Sequence, residues 1–142
     1  MMVIKQLSVF LENRSGRLTE LTKILGTHQI NISALSIADT AEYGLIRMIV
    51  DKPDEAIQCL KQKDFSVSAT NVICLLTPDT PGALAKVLEI LSTEGIDIAY
   101  MYGYSYGEQA AIIMKAEPLE KAVDILKQHK VKLLEASKFY RV

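Results

Sequence analysis

Apolar residues recur along the chain with two different periods, arranged in alternating blocks. Val3 to Leu11 and Ala69 to Thr77 are β-rich and largely alternating, the pattern of strands with one buried face. Each is followed by a Gly and then by helical spacing. Leu84, Val87, Leu88 and Leu91 fall at i, i+3, i+4 and i+7 and form one apolar stripe; Leu18, Leu21, Ile24 and Leu25 form a less regular one. Thr80 as cap and Pro81 as first helical residue predict where the later of these helices begins. Further strands are expected over Ile30 to Ala38 and Ile96 to Gly103. Hairpin turns near Glu42-Tyr43-Gly44 and Ser105-Tyr106-Gly107 lead into Leu45 to Val50 and Gln109 to Lys115. Second helices start after Pro53 and Pro118, and closing strands are predicted over Phe65 to Ala69 and Val131 to Phe139.

The order strand, helix, strand, strand, helix, strand is therefore written twice. Ser15-Gly16-Arg17-Leu18 lines up with Pro81-Gly82-Ala83-Leu84, Ile30-Asn31-Ile32 with Ile96-Asp97-Ile98, and Leu60-Lys61-Gln62-Lys63 with Leu126-Lys127-Gln128-His129, all at an offset of 66 residues. Three landmarks in order at one offset mark a duplication, with modules over residues 1–70 and 71–142. A β-α-β-β-α-β unit is the ferredoxin-like split arrangement, so the fold class is α+β: two modules, each an antiparallel sheet with both helices on one face. A unit of about 70 residues buries only about 60% of its unfolded surface, and Phe65 to Thr77 leaves no linker, so a fixed pair is expected.

Composition removes several functions. The 142 residues are 49% apolar and 23% charged, with net charge −1 and a pI near 6.1, which gives no net basic field for a phosphate backbone. The longest apolar runs, Val72 to Leu76 and Ala110 to Met114, are far shorter than the roughly 20 residues of a membrane-spanning helix. No secretory leader is legible at the N-terminus, so a cytoplasmic location is expected. Cys59 and Cys74 fit neither a disulfide framework nor a zinc site and read as small buried residues. No metal and no cofactor is expected.

Both modules share a polar residue, a gap, a Gly and a helix start: Asn13 to Gly16 and Asp79 to Gly82. A helix start offers unpaired N–H groups and the positive end of a dipole, and a Gly there admits a carboxylate close to the backbone. Asp79, Asn13, Asn31 and Asp97 supply oxygen acceptors for an ammonium. Each has a plainer reading: the glycines as tight turns, Asn13 and Asp79 as turn residues bonded to their own backbone, Asn31 and Asp97 as solvent-facing strand positions. Tyr100, Tyr102, Tyr104 and Tyr106 alternate along one strand and read as interface packing or as a ligand lining. No catalytic constellation emerges.

The motifs Asp79-Thr80-Pro81-Gly82-Ala83-Leu84, Glu94-Gly95-Ile96-Asp97-Ile98 and Gln29-Ile30-Asn31-Ile32 resemble the ACT-domain family, small-molecule-sensing modules that bind amino acids. The resemblance covers essentially the whole chain as a tandem pair. Ser15 stands where the family often has Pro, and Gln29 where it has Gly. It implies a non-catalytic, regulatory, amino-acid-binding protein with ligands held between modules: Asn13 and Gly16, with Ser15 and Arg17, facing Asp97, and Asp79, Pro81 and Gly82 facing Asn31. A stand-alone tandem pair is expected to act through its oligomeric state, with a homodimer favoured, or through a protein partner. The alternatives are an acylphosphatase-like enzyme using Arg14 or Arg17 with Asn31, and a structural module without ligand.

Overall fold

The computed structural model describes residues 1–12, 14–39 and 43–140. Its elements are β1 (Ile4–Glu12), α1 (Arg17–Thr27), β2 (Ile32–Asp39), β3 (Tyr43–Val50), α2 (Pro53–Gln62), β4 (Ser66–Pro78), α3 (Ala83–Thr93), β5 (Asp97–Tyr106), β6 (Gln109–Glu117), α4 (Leu119–Gln128) and β7 (Lys132–Leu133), then a 3-10 turn over Ala136–Lys138. They fall into two compact units. The N-terminal unit is Lys5–Thr70 with the chain from Phe139 onward; the C-terminal unit is Asn71–Lys138 with Met1–Ile4. The ends of the chain are thus exchanged, and β4 contributes residues to both units.

In the N-terminal unit the strand order is β2-β3-β1-β4, and β3 pairs antiparallel with both β1 (Leu7 opposite Met48) and β2 (Leu35 opposite Met48). Leu7, Val9 and Leu11 alternate onto one face of β1. There they meet Leu21 and Leu25 of α1, Ala56, Cys59 and Leu60 of α2, and Ile46 and Met48 of β3 in one buried cluster. Both helices therefore cover the same face. The C-terminal unit repeats this with β4, β6, β5 and β7: β6 pairs with β4 and β5, and β7 pairs with β4, all antiparallel. Its core joins Ile73 and Leu75 to Val87 and Leu91 of α3, Ala122, Ile125 and Leu126 of α4, and Leu133. This is the expected α+β, ferredoxin-like pattern, twice.

Four details differ from the periodicity. The closing strand predicted over Phe65 to Ala69 and the opening strand over Ala69 to Thr77 are one continuous strand, β4. Helix α3 begins at Ala83, because Pro81 and Gly82 belong to the turn before it; Thr80 does not cap it. Tyr43 and Gly44 are already paired in β3, opposite Glu12 and Leu11; Glu42, placed with them in the first hairpin turn, lies outside the described residues. The closing strand predicted to Phe139 is only two residues long. Leu133 and Leu134 are both buried, which a regular strand facing one core cannot do with neighbours. The backbone leaves the ladder accordingly: the Leu134 N–H donates to the Cys74 carbonyl at 2.8 Å and the Ala136 N–H to the Met1 carbonyl at 2.8 Å. Among the described residues no helix is long and apolar enough to cross a membrane.

Cys59 and Cys74 are free and buried. Burial pushes the Cys74 thiol up to about 12, against a smaller opposing effect of its hydrogen bond with Tyr104, and burial also raises the Tyr104 phenol. A thiol held protonated in the folded state but free to ionise when unfolded supports the fold only below its ordinary pKa. That support is lost as pH rises from about 9 to about 12. Chemical denaturation across that window is expected to show a falling stability, with a shallower fall in Cys74→Ala. An unchanged slope would contradict the burial argument.

Candidate functional site

The loops that lead from strand to helix are built alike. In the C-terminal unit the Ala83 N–H donates to the Thr80 carbonyl at 3.2 Å, and Gly82 sits at φ 84°, ψ −8°. Those angles at the third residue, with Pro at the second, define a type II turn; the left-handed φ is the reason for glycine. In the N-terminal unit the Arg17 N–H reaches the Arg14 carbonyl at 3.4 Å and Gly16 has φ 92°, ψ −16°, with Ser15 in the place of Pro81. A Cβ on either glycine would meet no atom within 4 Å, so the space above both is open.

The N-cap residues of α1 and α3 are the glycines themselves, and among the described residues no side chain caps either helix. The free N–H groups and the positive end of each helix therefore face outward beside an exposed turn, a geometry suited to a carboxylate. Asp79 is exposed, and its carboxylate makes no hydrogen bond or ion pair among the described residues, so it is not spent on its own turn. Asn13 lies outside the described residues.

At the strand starts the two units differ. The Asn31 backbone is clamped to Asp51, its N–H donating to Asp51 Oδ1 at 2.9 Å and its carbonyl accepting from the Asp51 N–H at 3.1 Å. Asp51 is only 4% exposed, whereas the Asn31 side chain is exposed. Asp97 is the exposed first residue of β5, opposite Glu117 in register. Asp51 and Glu117 stand at the repeat offset, and only the first is buried. The sequence reading passed over Asp51; the signal was its position 66 residues before Glu117, directly ahead of Lys52-Pro53 and α2.

Arg17 is held within its own unit. Its guanidinium lies 4.2 Å from the centre of the Phe65 ring, Nη1 pairs with Glu20 at 3.0 Å, and its side chain is 14% exposed. A group held inside its own unit in this way is poorly placed to grip a phosphoryl group. Tyr100, Tyr102 and Tyr104 are half-buried, and Tyr106 is exposed. Among the described residues no cluster of three or more His, Cys, Asp or Glu could hold a metal ion.

A sequence-family description of an ACT domain pair matches residues 2–142. The chain belongs to the ACT-domain family. A crystal structure of a protein from Bacteroides thetaiotaomicron is 48% identical over 99% of this chain and 98% of that one, with a TM-score of 0.94. The regulatory subunit of aspartate kinase from Thermus thermophilus, in a ligand-free form, has a TM-score of 0.65 at 16% identity, covering 89% of this chain and 93% of that one. The corresponding subunit from Thermus flavus has a TM-score of 0.62 at 15% identity over 90% and 96%. At these identities the two kinase subunits speak to the shared fold alone. Comparison with curated protein sequences gives no match.

In this ACT pair the two turns make opposite predictions for substitution. Ser15→Pro places the ring where Pro81 stands in the repeat and is expected to stabilise the protein by about 0.4–1 kcal/mol through the unfolded state. Gly82→Ala forces a Cβ into left-handed backbone and should cost about 1–2 kcal/mol without any steric clash. Urea unfolding of both variants is the check, and a neutral Gly82→Ala would refute the turn assignment.

Proposed function

We propose that this ACT pair is a non-catalytic regulatory protein that binds an amino acid at its two strand-to-helix turns. The observation that carries this reading is the pair of uncapped helix starts behind Gly16 and Gly82, each open to solvent and each following a left-handed glycine. A ligand carboxylate supplies the acceptors that no side chain provides there, and the ammonium of the same molecule finds oxygen at the paired acidic or amide residue. Following the family pattern, Asp79, Pro81 and Gly82 act with Asn31, and Asn13, Ser15 and Gly16 with Asp97. Arg17 serves as the buried support of its own helix start. The regulatory role named for the aspartate kinase subunits of like fold supports a sensing output here, through assembly or through a partner protein.

Assembly has its own surface in the N-terminal unit. Leu35 and Ile37 of the edge strand β2 are about half exposed and Leu18 of α1 is exposed, an apolar group at a strand edge that a second copy of the chain would cover.

A thermal-shift screen across the proteinogenic amino acids tests the function. A ligand at 100 times its dissociation constant adds about 2.7 kcal/mol to the native state, which raises Tm by several degrees in a chain of this size. At least one amino acid is expected to do so, and a flat screen refutes the reading. The Asp79 site has a carboxylate and a proline-set turn, so Asp79→Ala should weaken binding roughly ten- to a hundred-fold and Asn13→Ala less. Equal losses would show the roles to be misassigned. Light scattering should report a dimer, and a micromolar monomer would remove it.

A further inference from the structure

The C-terminal unit holds a cavity beside the start of α3. It has a volume of about 390 Å³ and lies between the start of α3, the end of β4 and the segment entering β7. Thr80 and Pro81 of the adjoining turn line it, whereas Asp79 and Gly82 do not. The repeat explains why it is open. In the N-terminal unit Arg17 lies over Phe65 and pairs with Glu20. At the offset of 66 the C-terminal unit has Ala83, Val131 and Lys86, all on the cavity wall. The guanidinium and the phenyl ring have been replaced by a methyl and an isopropyl group. The carboxylate that balanced the arginine has become an ammonium.

What remains in the cavity wall is three exposed lysines and one buried hydroxyl. Lys86, Lys130 and Lys132 line it, and no Asp or Glu does. Thr77 also lines it; the residue is 3% exposed and its hydroxyl has no hydrogen-bond partner. In register Thr77 shares the face of Ile73 and Leu75, the face covered by α3 and α4, so the unpaired oxygen lies on the side where the cavity opens. A buried hydroxyl without a partner is costly in a folded chain and points to an acceptor that arrives from outside. The start of α3 adds to the same field. It alone of the four helices has no acidic residue in its first turn and carries Lys86 there instead. Val87 and Ile90 supply an apolar wall.

We infer that this cavity binds a small organic anion with an apolar body and no ammonium group. The anionic oxygens take the Thr77 hydroxyl and the lysine ammonium groups, and the hydrocarbon part lies against Val87 and Ile90. An amino acid fits poorly, because its own ammonium would sit among three cations with no carboxylate to receive it. The cavity adjoins the Asp79 turn and shares Pro81 with it, but its lining holds no acidic group, so occupancy here reports on a different class of metabolite.

Calorimetric titration of the full chain with 4-methyl-2-oxopentanoate and with leucine tests this. The two share a skeleton and a carboxylate and differ by an oxo group in place of the ammonium. The oxo acid is expected to bind once per chain, and leucine at least about ten-fold more weakly at the same site. Ala83→Arg restores the residue that fills this position in the N-terminal unit and should abolish oxo-acid binding. Lys86→Glu and Thr77→Val should each weaken it by about ten-fold or more, the latter while raising Tm in the absence of ligand. Leucine held at the turns would keep its affinity in Thr77→Val. No binding of the oxo acid up to roughly 10 mM, or unchanged affinity in both Ala83→Arg and Lys86→Glu, would overturn the inference.

Discussion

Two left-handed glycines govern how this chain works. At Gly16 and Gly82 the backbone adopts a φ that side chains resist, and each glycine closes a turn that drops the chain from strand onto helix. Because the turn ends there, the helix that follows starts with no side-chain cap, and its first N–H groups are left facing an open surface. The same geometry lays α1 and α3 across their sheets, so that Leu21 and Leu25, or Val87 and Leu91, reach the core. The turn that lays each helix on its sheet is also the one on which the proposed ligand site rests.

Duplication lets the two units diverge around that constraint. In the N-terminal unit Arg17 lies over Phe65 and pairs with Glu20 beside the helix start. The C-terminal unit gives up those contacts. Ala83, Lys86 and Val131 leave a cationic cavity and an unpaired Thr77 hydroxyl. One copy carries an arginine–glutamate pair where the other carries an alanine and an unbalanced lysine, and the proposed second ligand rests on that difference.

Much of the fold was legible because it rests on period and repetition. The Leu84, Val87, Leu88, Leu91 stripe places α3, and the β-rich run ending at Thr77 places β4. The repeat offset carries each assignment from one copy to the other. What escaped had physical reasons. Proline and threonine before α3 look like a cap and first turn, yet the positive φ of Gly82 makes them a type II turn. The closing strand looks longer than it is because two adjacent leucines are both buried. Of the site, the turn glycines and Asp79 were readable from residue type; the Asp51 clamp on Asn31 and the orphan Thr77 hydroxyl were not, since both depend on which groups fail or manage to find a partner.

The most direct measurement is an amide NMR titration of the full chain with an equimolar mixture of the proteinogenic amino acids. Binding at the helix starts predicts the largest shifts at the amides just after Gly16 and Gly82, with smaller ones near Asn31 and Asp97. Shifts concentrated elsewhere while those amides stay still would contradict it.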